Sequence, residues 1–270
     1  MRADPAAAEI TPTRYDWPTV AAISALAYIV PDVLHEALGH GTVAFLSGAH
    51  RLTVSTVALQ SDIDTRWIAA AGPLVDLVFG AIFWLLLLQP QRYRPATRYF
   101  LILLMAASLL SGTGYFFFSG VTNFGDWAVV IRGLHPHWLW QLGLIAVGVF
   151  SYYGSMLLVA AKLRPFRRND EDPRRMRVLC WTPYFTEAIV AGLAGLLNPA
   201  GMFYVFASAL ASSLGANAGM LSLPTMLRRP RPMDEEPAGP LQRSIAWIVA
   251  GAIASLLFIA VLGRGITWTR

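Results

Sequence analysis

Long apolar runs, broken at intervals by short clusters of Arg, Pro, Gly and acids, set the pattern of this chain. "WLWQLGLIAVGVFSYYGSMLLVAA" at 138–161 and "SIAWIVAGAIASLLFIAVLG" at 244–263 carry no charge, and each is long enough to cross a hydrocarbon core of roughly 30 Å. The pattern predicts seven membrane segments, at 17–47, 67–88, 99–119, 138–161, 181–198, 202–227 and 244–263. The first is long and contains Pro31, which predicts two helices meeting at a kink. The fifth and sixth are parted only by "NPAG" at 198–201, a tight reversal. Residues 51–59, "RLTVSTVAL", are rich in β-branched side chains with loose alternation. They fit a short strand at the membrane surface as well as they fit a plain connecting loop. The expected fold is an all-α polytopic membrane protein: an N-terminal segment 1–16, four helices over 17–161, a basic loop 162–180, three helices over 181–263 and a tail 264–270.

Composition agrees. Hydrophobic residues make up 56% and charged residues 14%, with a mean hydropathy of +0.51. Segment 1–16 holds Asp4, Glu9, Asp16 and two prolines and does not read as a cleaved signal peptide. The lone Cys180 excludes an internal disulfide and a cysteine-based metal framework. The net charge of +5 calls for no nucleic-acid partner, because basic loops set topology and touch anionic lipid headgroups. Sixteen of the 21 Lys and Arg fall in the N-terminal segment and loops 89–98, 162–180 and 228–243. The positive-inside rule then places the N-terminus in the cytoplasm and the C-terminus outside, as in a bacterial inner membrane.

Ionisable groups at membrane depth mark function or a buried partner. They occur here as Asp32, His35, Glu36 and His40 in "PDVLHEALGH", Asp76 in "AAAGPLVDLVFG", Asp126 in "SGVTNFGDWAVV" and Glu187 in "PYFTEAIVAG". The first three groups share one leaflet by the predicted topology. Glu187 falls on the opposite, Arg-rich side and reads as an interhelical pair or hydrogen bond. His35 and His40 stand five apart, and on a regular helix they diverge by roughly 140°. One residue taken up as a π-bulge returns the angle to roughly 40°. Gly39 makes such a distortion easier, and Pro31 upstream loosens the hydrogen-bond ladder. Two imidazoles and one carboxylate then suit Zn2+ with a water in the fourth position, and Glu36 is placed as general base. Two bland readings stand beside this one: a hydrogen-bonded cluster joining helices, and a regular helix pairing Glu36 with His40, four residues on.

"HEALGHGTVAFLSGA", then "AAGPLVDLVFGAIFWLLL", then "NFGDWA" resembles the site-2 protease family of intramembrane zinc metalloproteases, over residues 31–130. The resemblance implies His35 and His40 as zinc ligands, Glu36 as catalytic base and Asp126 as the acidic ligand. Gly72 and Pro73 match the Gly-Pro of the family's second helix, and Asn123 opens the "NFGD" stretch. The histidine spacing is one longer than the family's His-Glu-x-x-His. Asp76 stands where the family favours Asn and would bring another negative charge near the zinc. Trp127 follows Asp126 where the family has Gly, and His50, just after the first segment, is a competing third ligand. The family's zinc lies nearer the cytosol, whereas the arginine count places this motif toward the outer side.

The resemblance implies a zinc endopeptidase acting on membrane-protein substrates in or near the bilayer, with residues 51–59 pairing with an extended substrate by strand addition. The alternatives are a metal-binding membrane protein without catalysis, serving as partner or chaperone, and a transporter with Glu187 and "SSLGANAG" at 212–219 along its path.

Overall fold

The computed structural model describes residues 15–167, 174–198, 211–228 and 236–270. The chain enters its first helix, α1 (Trp17–Val33), through Asp16, whose carboxylate caps the helix by accepting from the Thr19 N–H (3.0 Å) and hydroxyl (2.6 Å). α1 does not divide at Pro31, as the sequence predicts. It runs on as a π-helix over Leu34–Gly41 and then as α2 (Thr42–Leu46), giving one 30-residue span, Trp17–Leu46. The loosened ladder after Pro31 is absorbed as i→i+5 hydrogen bonding rather than as a break.

A three-stranded sheet caps this end, in the order β2-β1-β3, with both pairings antiparallel. β1 (Arg51–Val54) takes only the first part of the expected strand 51–59, and β2 (Gln60–Ser61) lies just beyond it. Residues 55–58 turn instead, around the Ser55 hydroxyl, which accepts from the Val57 and Ala58 N–H groups. β3 (Ile266–Thr269) comes from the expected tail and pairs with β1 along its whole length, Arg51 with Thr269 through Val54 with Ile266.

The remaining helices are α3 (Arg66–Leu86), α4 (Pro95–Thr122), the short α5 (Asp126–Ile131), α6 (His137–Leu163), α7 (Arg174–Leu196), α8 (Ala211–Asn217), α9 (Gly219–Met226) and α10 (Ile245–Ala260). Six helical spans among the described residues are long and apolar enough to cross a membrane. The expected sixth of seven segments, 202–227, begins outside the described residues, and its described part is α8 and α9. α7 starts seven residues earlier than predicted, inside the expected basic loop, because Met176, Leu179 and Cys180 are buried in the bundle.

α4 is the central helix, with 56% of its apolar window buried, against 11% for α10 at the periphery. The main apolar cluster lies at the Arg-rich end, where Ile23, Tyr99, Met105, Leu163, Phe166, Leu179 and Leu223 are fully buried. That end is tied by the Tyr15 hydroxyl donating to Phe166 O, the Ala238 N–H to Pro165 O and the Asp16 N–H to Leu241 O. The N-terminal entrance and the described parts of loops 162–180 and 228–243 therefore gather at one end. The sheet and α5 occupy the other.

Candidate metal centre

Residues five apart fall on one face of a π-helix, because its hydrogen bonds close i→i+5. His35 and His40 are one such turn apart, and their Nε2 atoms approach to 3.1 Å with the rings edge-on at 77°. Each imidazole is oriented from behind. His35 Nδ1 lies 2.8 Å from Asp76 Oδ2 on α3, and His40 Nδ1 lies 2.6 Å from the carbonyl of Ile68, also on α3. A carbonyl only accepts, so His40 carries its proton on Nδ1 and presents the Nε2 lone pair forward. Asp76 thus stands behind His35, where it fixes the ring.

Two glycines allow this approach. An added Cβ at Gly72 would overlap His40 Nε2 and reach within 2.6 Å of His35 Nε2, so the imidazoles occupy space that only glycine leaves. At Gly39 a Cβ would sit 2.7 Å from Gly72 Cα. The sequence assigns Gly39 to easing the bulge; in the structure its observed constraint is close passage against α3. Pro73 loosens the α3 ladder at the level where Ile68 offers its carbonyl.

Asp126 arrives from a third direction. α4 ends at Asn123 in the left-handed conformation (φ 53°), and Gly125 follows at φ 84°, ψ −170°, a region open to glycine alone. This reversal makes Asp126 the first residue of α5 and aims its carboxylate back at the histidines. Trp127 stacks on Phe116 (4.5 Å, 18°) and fixes α5 against α4. The Asn123 carboxamide oxygen accepts from His137 Nε2 at 3.0 Å. Asp126 Oδ2 is 3.5 Å from His35 Nε2 and 3.4 Å from His40 Nε2, yet forms no hydrogen bond.

The three edges of this triangle are 3.1, 3.4 and 3.5 Å, the two to Asp126 within the range a tetrahedral ion would need and the His35–His40 edge shorter. A tetrahedral ion about 2.0–2.2 Å from each ligand needs ligand atoms about 3.3–3.6 Å apart. An unbonded, buried carboxylate oxygen between two imidazole lone pairs is also what a cation would relieve. Glu36 forms a metal-capable group with the two histidines, all within 4.8 Å. Asp126 Oδ2 is nearly equidistant from both Nε2 atoms, at 3.5 and 3.4 Å. Glu36 is left with Oε2 buried and unpartnered.

Glu36 and His40 open onto a cavity of about 830 Å³, walled by residues 57–61 on one side and by Tyr115, Phe124 and α5 on the other. β2 lines it, and Arg132, paired with Asp64 at 3.8 Å, stands at its rim. His50, the competing ligand, is exposed at the sheet, its N–H donating to the Asp62 carboxylate at 3.1 Å. It lines none of this cavity. Sequence reasoning missed Tyr115, whose ring is 5.6 Å from that of His35; Glu187 accepts the expected interhelical hydrogen bond, from Asn217 Nδ2 at 2.9 Å, but lines a chamber that His35 also borders rather than lying apart from the site. No family model matches the chain, and neither a curated protein nor a solved structure matches it.

Proposed function

We propose that this protein is a membrane-embedded zinc metallopeptidase of the site-2 protease type, with His35, His40 and Asp126 as metal ligands and Glu36 as the catalytic base. The observation that carries the reading is the convergence of two Nε2 atoms and the Asp126 Oδ2 within 3.1–3.5 Å of one another, beside a buried Glu36 carboxylate oxygen with no partner. Two imidazoles and a carboxylate with a fourth position open are a catalytic zinc donor set; when bound, the ion supplies a water of lowered pKa and a Lewis acid for the carbonyl oxygen.

The chain's own residues supply the rest. Glu36 takes the proton of the attacking water and returns it to the leaving nitrogen. Asp76 and the Ile68 carbonyl hold the imidazoles in one tautomer and orientation. A substrate must be extended for its scissile carbonyl to reach Glu36. Both edges of β1 are occupied by β2 and β3, so strand addition moves from residues 51–59 as a whole to the outer edge of β2, at Gln60 and Ser61, which lines the cavity.

Seven crossings, with the metal centre toward the outer side, fit this reading. Ala194, near the end of α7, lies under Gly263 at the sheet end, while Leu241 meets Asp16 at the opposite end. Between them, Asn217 meets Glu187 and the Leu221 carbonyl meets Trp181 Nε1, closer to the start of α7. The described chain therefore leaves α7 at the sheet end and is found again, at Leu241, at the opposite end, which supports a seventh crossing. The Arg-rich loops gather opposite the sheet, which supports a cytoplasmic N-terminus.

The test is proteolysis of a membrane-protein substrate in liposomes. Glu36→Gln is expected to abolish cleavage with metal content unchanged. Normal cleavage by that variant overturns the reading, and metal binding without hydrolysis by the wild type leaves a binding protein.

A further inference from the structure

A second chamber, of about 50 Å³, adjoins the metal centre and shares Glu36, Val57 and Tyr115 with the large cavity. Its volume is several times what one water-sized occupant needs. Asp32 on α1, Thr56 in the turn after β1, Ser111 on α4 and Glu187 on α7, all oxygen-bearing side chains, line it together with His35, Asp76 and Asn217. No Lys or Arg lines it among the described residues.

Asp76 is matched by His35 at 2.8 Å. Among the described residues, the side-chain hydrogen bonds of the other two carboxyls are to uncharged groups: Asp32 to the Tyr28 hydroxyl at 3.4 Å and Glu187 to Asn217 Nδ2 at 2.9 Å. Neither carboxylate has an ion-pair partner among the described residues. A separate observation points to an occupant: Thr56 is 4% exposed, and its hydroxyl, on the chamber wall, has no hydrogen-bond partner. The carboxylate and hydroxyl oxygens of Asp32, Glu187 and Thr56 are hard ligands, suited to alkali and alkaline-earth ions rather than to zinc, and His35, which also lines the chamber, has its Nδ1 engaged by Asp76. Acidic groups at such depth are found where ions bind.

We propose that Asp32, Glu187 and Thr56 form a second cation site, distinct from the metal centre, that binds a small monovalent ion, with sodium as the probe. The site joins α1, the sheet turn and α7, so its occupation couples the C-terminal helices to the span that carries Glu36. It goes beyond the peptidase reading and does not depend on it.

The experiment measures binding of radioactive sodium to the purified full chain, with choline as the control cation, alongside bound transition metal. Saturable sodium binding is expected in the wild type. Glu187→Gln should weaken it by about tenfold or more with transition metal retained, since one anionic ligand is lost. His40→Ala should do the reverse, because His40 does not line the chamber. Thr56→Val, which removes only the hydroxyl, should weaken sodium binding several-fold with helix content unchanged, and so separates ligand loss from misfolding. Absence of saturable sodium binding, equal binding in Glu187→Gln, or binding of calcium in its place overturns the proposal. Loss of transition metal alone, or of proteolysis alone, bears on the metal centre and leaves this site standing.

Discussion

The two ends of the bundle are built on different principles. At the Arg-rich end, Ile23, Tyr99, Met105, Leu179 and Leu223 pack as an apolar core, and the spans there are regular α-helix. At the sheet end the first span runs as a π-helix, two left-handed or glycine-only residues reverse the chain before α5, and buried polar side chains stand beside a small apolar cluster of Ala44, Ala49, Leu52 and Ile68. Apolar packing is forgiving of small changes in shape, because neighbours relax around a loss of volume. The cluster of His35, His40 and Asp126 has no such slack: these side chains meet only because Gly72 has no side chain and Asp126 follows Gly125. Stability and chemistry are therefore divided between the ends, and variants should separate them.

The largest effect is expected from Gly72→Ala, whose methyl group would occupy the space of both Nε2 atoms. Bound metal should fall to background while helix content by circular dichroism stays near wild type; retained metal would mean that the imidazoles are not held as described. Asp76→Asn keeps the shape but weakens the hydrogen bond behind His35, and competition with a chelator should show metal affinity reduced by about 10–100-fold. Leu179→Ala, at the apolar end, should give the opposite profile. A buried leucine lost from a packed core costs about 2–5 kcal/mol, so thermal stability in detergent falls while metal affinity stays the same. If Leu179→Ala also releases the metal, the two ends are not independent. The smallest effect is expected from ending the chain at Arg264. Removing β3 bares one edge of β1, so cleavage of a membrane substrate should slow while metal content is unchanged.

Some of this was legible in the sequence because it is local. Two histidines five apart in an apolar span imply either divergence or a π-turn, and the span is π-helical from Leu34 to Gly41. Gly39 was singled out, but its neighbour Gly72 is 33 positions away, so its packing constraint could not be read from the motif. β3 was missed for the same reason: Ile266–Thr269 has strand-forming residues, yet its partner β1 lies more than two hundred positions earlier. Glu187 looked remote from the site by its position along α7. Only the packing of α7 against α1 turns it toward the chamber that Asp32 and His35 share. His50 was a reasonable competitor on spacing alone, and the sheet's link to Asp62 holds its backbone on the surface.

The central claim is that the π-helix brings His35 and His40 to a single ion together with Asp126. X-ray absorption on the purified protein, beside metal analysis of the His35→Ala, His40→Ala double variant and of Asp126→Ala, tests it most directly. The account predicts a wild-type site with two imidazoles and oxygen ligands, no metal in the double variant, and sharply reduced affinity in Asp126→Ala. Equal metal in the wild type and the double variant, or no metal in either, would contradict it.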